Sequence, residues 1–131
     1  MKWIPANNPP DKDISCFIAC RREDGSIYTP WYKGHYTIGM QRTAGGPVYV
    51  GFLHPNVVAW MPVPSSYTHD KRGWILSGER EPEKSGEYIV STYNQRGSER
   101  VVLANYDAEK LKFYGQPDVI AWRTVPKIKT T

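Results

Sequence analysis

Pro55-Asn56-Val57-Val58-Ala59-Trp60-Met61-Pro62-Val63-Pro64 and Pro117-Asp118-Val119-Ile120-Ala121-Trp122-Arg123-Thr124-Val125-Pro126 are two versions of one segment. Set side by side without gaps, they share Pro, Val, Ala, Trp, Val and Pro at the same offsets, and Val58 stands opposite Ile120. Working outward, Trp3-Ile4 matches Trp74-Ile75, Pro10 falls near Pro82, and Phe17-Ile18-Ala19 sets on Tyr88-Ile89-Val90. The offset is 71 at the first of these matches and 62 in the closing segment, so copy one carries nine extra residues. The Gly-rich stretch between His35 and Leu53 is where they fit, as an insertion at about 36–52. Matches recurring in chain order are the signature of an internal repeat, each copy one supersecondary unit.

Each copy reads as strands and turns. Glu87 to Tyr93 is a β-branched and aromatic run, Asn94-Gln95-Arg96-Gly97 has turn chemistry, and Glu99 to Tyr106 returns as a second strand. Leu111 to Tyr114 and Val119 to Val125 supply a third and fourth. Copy one repeats the plan with Ile14 to Cys20, a turn at Asp24-Gly25 and a return through Ile27-Tyr28. The expected fold is mainly β: two tandem copies of a small antiparallel β unit, packed as a pseudo-twofold pair. Residues 1–64 form the first repeat, 65–73 a polar linker and 74–131 the second. Eleven Gly and eleven Pro in 131 residues suit short strands and frequent turns, and five Trp and nine Tyr let small cores bury much area.

The net charge of +4 invites a nucleic-acid reading, but its distribution weakens it. Residues 1–65 carry six basic and four acidic side chains and residues 66–131 carry eleven and nine, so each half sums to +2 with no polybasic run. Cys16 and Cys20, on one face of a strand, are too far apart to bridge and read as small buried hydrophobes of a reducing cytoplasm. The start of the chain has no apolar signal segment, and no apolar run approaches ~18 residues, so no membrane association is expected.

The motifs of the second copy are Trp74-Ile75, Glu79-Arg80, Pro82, Gly86-Glu87-Tyr88-Ile89-Val90 and the closing Ile120-Ala121-Trp122-Arg123-Thr124-Val125-Pro126. This pattern resembles a family of short phage and prophage proteins classed as a domain of unknown function, number five hundred and fifty-one in that series. Copy one matches the family's ending best, through Ala59-Trp60-Met61-Pro62-Val63-Pro64, and copy two its opening. Both copies have Ala before the closing Trp where the family commonly has a polar residue, and Asn7-Asn8 replaces Glu-Arg in copy one. The resemblance implies a bacteriophage or prophage origin and action in the bacterial cytoplasm, and it carries over no catalytic residue.

Few residues announce chemistry. The paired tryptophans could stack bases, but flanking Val and Ile and the Pro after each closing strand favour a packing role. His35, His54 and His69 have no metal-ligand spacing, and no nucleophile elbow, zincin helix or phosphate-cradling loop is present. Glu79, Glu81, Glu83 and Glu87 alternate with Arg80 and Lys84 as a self-compensating solvated face. The expectation is therefore no enzyme, no cofactor and no metal. Where the copies differ, copy one brings Trp31, Tyr32, Tyr36, Met40 and Arg42, types enriched at protein interfaces. The leading expectation is a non-enzymatic accessory binding protein that engages a host bacterial protein of defence or nucleic-acid processing through these residues. The alternative is a small-ligand or nucleotide binder with Arg21, Arg22, Arg96 and Arg100 meeting phosphates in a groove between the repeats. A nucleic-acid-binding module comes third.

Overall fold

A computed structural model of the chain describes residues 1–131 apart from 31, 32, 39, 40, 45, 49, 50, 95, 117 and 129–131, and gives only the backbone of 41–43 and 46–48. The described residues hold thirteen strands and no helix, hence none long and apolar enough to cross a membrane. The chain divides into two compact units, Met1–Val63 with Pro126–Thr131, and Pro64–Val125.

In the first unit the strands are β1 (Ile4–Pro5), β2 (Ile14–Arg21), β3 (Ile27–Tyr28), β4 (Gly34–Thr37), β5 (Gln41–Thr43), β6 (Gly46–Val48), β7 (Gly51–Phe52) and β8 (Val57–Pro62). The second has β9 (Ile75–Leu76), β10 (Gly86–Tyr93), β11 (Glu99–Asp107), β12 (Lys112–Phe113) and β13 (Val119–Thr124). The first sheet runs β1-β8-β2-β4-β7 with β3 also beside β2, and the second runs β9-β13-β10-β11-β12. The order is the same, every described pairing is antiparallel, and β3 with β4 stand where β11 is continuous. The chain is thus two similar antiparallel β units in tandem.

Register corrects the alignment of the long strands by one residue. Ile18 lies opposite Trp60 and Ala19 opposite Ala59, whereas Val90 lies opposite Trp122 and Ser91 opposite Ala121. Phe17-Ile18-Ala19 therefore corresponds to Ile89-Val90-Ser91, not to Tyr88-Ile89-Val90. The slip escaped the sequence pattern because Cys16 through Cys20 are all buried, so apolarity does not alternate along β2. Both strands bulge at the same place, between Ala19 and Cys20 and between Ser91 and Thr92. Both hairpins close alike: Arg22 N donates to Ser26 O and Gly25 N to Arg22 O, as Asn94 N does to Ser98 O and Gly97 N to Asn94 O. Gly25 and Gly97 hold φ of 89° and 79°, which a side chain would oppose.

Four indoles tie the units together internally. Trp60 and Trp122 sit in the cores, and their Nε1–H groups donate to Asn8 O at 3.0 Å and Arg80 O at 2.8 Å. Trp3 donates to Pro126 O at 2.8 Å and Trp74 to Ser65 O at 3.0 Å. The segment after each closing strand is therefore held by the opening tryptophan of the other unit. Residues 65–73, expected as a linker, fold onto the second unit, and Pro126 returns to the first. A shared aromatic pair lies at the far sheet edge, Tyr36 with Phe52 (4.8 Å between centroids) and Tyr106 with Phe113 (4.7 Å). These partners are sixteen residues apart in the first unit and seven in the second, which puts the nine-residue excess between them, around the β5–β6 hairpin.

One position shows the cores compensating. A Cβ on Gly34 would stand 2.5 Å from Ile18 Cγ2, and the corresponding pair in the second unit is Ala104 with Val90. The methyl group missing from one strand is present on its neighbour. Gly34→Ala is expected to destabilise by ~1–3 kcal/mol through overpacking. Ile18→Val, which removes Cδ1 (2.8 Å from the added Cβ), should relieve part of that loss in the double variant, a coupling that denaturant unfolding reads directly. Strictly additive losses would refute this packing exchange.

Candidate functional site

A cleft of about 700 Å³ lies on the first unit. Its floor is the edge strand β1 (Ile4, Pro5) and its β8 neighbours Val58 and Ala59, with Ile27 from β3 beside them. The β-bulge at the end of β2 sets Arg21 on the rim: Arg21 pairs with Ile27, and its N–H donates to Asn56 O at 2.9 Å. Asn56 adopts φ 61°, a left-handed conformation Asn tolerates better than most residues. The bond from Trp3 to Pro126 O fixes the returning segment, so Lys127 and Ile128 form a second wall. Lys2, next to Trp3, completes the rim.

Three exposed cations, Lys2, Arg21 and Lys127, thus face one cleft that no carboxylate lines among the described residues. A concave surface lined by one sign of charge focuses its field and concentrates counterions. The remaining lining is chiefly aliphatic. The Trp3 ring is only 9% exposed and its N–H is engaged, so it offers no open face for stacking.

The matching surface of the second unit carries a carboxylate and a hydroxyl, and part of residues 65–70 lies against them. Glu99 stands where Ile27 does, Ser91 where Ala19 does, Tyr93 where Arg21 does, and Gly73 precedes Trp74 where Lys2 precedes Trp3. Tyr67 and Thr68 bind two of these groups, while Tyr93 stays 43% exposed. Tyr67 N donates to Ser91 Oγ (3.1 Å), Thr68 N to Glu99 Oε1 (3.2 Å), Thr68 Oγ1 to Glu99 Oε2, and Ser91 Oγ to Glu99 Oε1 (2.7 Å). Burial works to raise the Glu99 carboxyl, but the hydrogen bonds from Thr68 and Ser91 outweigh it and hold the group below its ordinary value. Just beyond, Arg72 binds Asp70 through two guanidinium nitrogens, and those hydrogen bonds bring Asp70 down to about 2.

Of the residues singled out from the sequence, Arg21 lines the cleft. Arg22 stays in its own hairpin, 4.4 Å over the Tyr28 ring and 3.4 Å from Ser26 Oγ. Arg96 and Arg100 belong to the second unit's hairpin, where Arg100 Nη2 donates to Gln116 Oε1. Tyr36 is buried against Phe52. Trp31, Tyr32 and Met40 lie outside the described residues, as does the side chain of Arg42, which belongs to β5. Lys2 and Lys127 escaped the sequence reading because they lie at opposite ends of the chain. Comparing the copies position by position could have found Lys2, since its counterpart is Gly73.

Cys16 and Cys20 are buried free thiols; burial alone raises Cys16 to about 11, and burial raises Cys20 despite a hydrogen bond with Tyr28. Thiols so protonated are poor nucleophiles. Among the described residues, no three His, Cys, Asp or Glu side chains cluster as metal ligands. Neither the models of known families, nor the curated proteins, nor the solved structures include a match to this chain.

The Glu99 clasp has a pH signature. Its lowered folded value means that its stabilisation is complete above the ordinary glutamate range (~4.3) and is lost as pH falls through the folded value. At neutral pH Glu99→Gln should lower Tm by about 3–5 °C, the change that roughly 1 kcal/mol makes in a chain of this size. The gap between variant and parent should close as thermal melts are taken to acid pH. A gap that stays constant with pH would show that the clasp does not depend on the carboxylate.

Proposed function

We propose that this chain is a non-enzymatic accessory binding protein of bacteriophage or prophage origin, acting in the bacterial cytoplasm, whose binding site is the first unit's cleft and whose ligand is anionic. The observation that carries the reading is the difference between the copies. One fold presents Lys2, Arg21 and Lys127 around an aliphatic cleft, and the same fold elsewhere in the chain places Glu99 and Ser91 there, bound by Thr68 and Tyr67. Shared positions keep the scaffold, so the position that changed polarity is where selection for binding would act. The lining also argues for binding over catalysis. Among the described residues the lining offers, apart from the three cations, Asn8, Trp3 and aliphatic side chains, and no carboxylate, imidazole or thiol to act as base or nucleophile. The phage origin rests on the resemblance of the Trp-Ile, Gly-x-Tyr-x-Val and Trp-Met-Pro-x-Pro elements.

Inorganic pyrophosphate, titrated into isotope-labelled protein and followed by NMR, should shift the amides of Lys2, Trp3, Arg21, Ile27 and Lys127 before those of other basic residues. The shifts should weaken as salt rises, because the contacts are exposed charge pairs. Shifts scattered evenly over the lysines and arginines of both units would overturn the assignment of the site.

A further inference from the structure

We infer that the first unit's cleft receives an acidic peptide segment of a partner protein; this rests on the cleft being an anion site and names what occupies it. The argument starts from the second unit, whose matching surface already holds a peptide. Residues 65–70 lie on it, held through backbone groups: Ser65 O accepts from Trp74, and the N–H groups of Tyr67 and Thr68 donate to Ser91 and Glu99. The concavity formed by the opening tryptophan, the edge strand and the hairpin is thus shaped for a short stretch of chain. The first unit has the same strands in the same order around its cleft.

Its side chains then select a different peptide. Ile27 and Ala19 replace the acceptors Glu99 and Ser91, so the cleft does not reproduce the second unit's grip on peptide N–H groups. Lys2, Arg21 and Lys127 supply donors only, and carboxylates are the peptide groups that match them. Ile4, Val58 and Ile128 suit aliphatic side chains between those carboxylates. A nucleotide fits less well: its phosphates would meet the cations, but a base gains ~1–3 kcal/mol from stacking on an aromatic face, and none of the described residues at the cleft presents one. The Trp3 ring is buried and the Tyr28 ring carries Arg22. Three cations on one rim also favour fast, salt-sensitive capture of an acidic partner.

Calorimetry on the full chain tests this with a short peptide alternating Asp or Glu with Leu, its Asn/Gln counterpart, ATP and a short thymidine strand. The acidic peptide should bind, and the amide peptide should bind at least about tenfold more weakly, as should ATP. The triple variant Lys2→Glu, Arg21→Glu, Lys127→Glu should lose the acidic peptide. The triple variant Lys12→Glu, Lys84→Glu, Lys110→Glu, of equal net charge, should keep it. Thermal melts establish that both variants fold; if the first does not, the single Lys127→Glu variant, with several-fold weaker peptide binding, takes its place. Tighter binding of ATP or the thymidine strand, sensitive to the first triple variant, would overturn the peptide and leave the anion site standing. Pyrophosphate and all four ligands failing to engage the cleft would overturn both.

Discussion

A tryptophan ring in a small core is useful only if its N–H finds an acceptor, and this chain solves that problem four times with backbone carbonyls. Trp60 and Trp122 bury their rings and reach across to Asn8 and Arg80, which pins the loop after each edge strand over the core. Trp3 and Trp74 hold the segments that leave the closing strands. An unpaired buried donor costs ~1–3 kcal/mol, a large share of the stability of a small domain. The Trp3 and Trp74 bonds hold in place the segment that completes each unit and follows the other's last strand.

That exchange explains how two such short units remain ordered. A unit of about sixty residues buries a modest fraction of its surface, so each extra segment brought onto it matters. In the second unit the added segment brings three hydrogen bonds onto Ser91 of β10 and Glu99 of β11. In the first it brings Lys127 and Ile128 to the lining of the cleft. Two side chains account for the different fates. A carboxylate and a hydroxyl capture a peptide's N–H groups; isoleucine and alanine at the same register leave them no acceptor.

The copies also show how freely the rest of the unit changes while the frame persists. Gly34 beside Ile18 becomes Ala104 beside Val90, conserving volume across two strands. Cys16 gives way to Tyr88, which in the second unit packs edge-on against Tyr106, Phe113 and Trp122. The Tyr36–Phe52 pair survives as Tyr106–Phe113 although its partners lie at very different chain separations. Rings held at the sheet edge tolerate a longer connection because the register of the pairing strands, not the loop, positions them.

The tandem repeat, its β character and its hairpins were legible in the sequence because they rest on local chemistry: β-branched runs, Gly at the turns, and a Trp-Pro closing motif spelled twice. The tertiary structure decided what local pattern cannot encode. Register was one such matter, since strands buried on both faces show no alternation and a one-residue slip leaves no trace in hydrophobicity. The fate of residues 65–73 was another, because a polar segment reads the same whether it spans a gap or is clasped by a distant glutamate. The cleft was the third. Lys2, Arg21 and Lys127 are scattered basic residues along the chain, and they become one site only when Trp3 donates to Pro126 and brings the two ends of the sequence to the same edge strand.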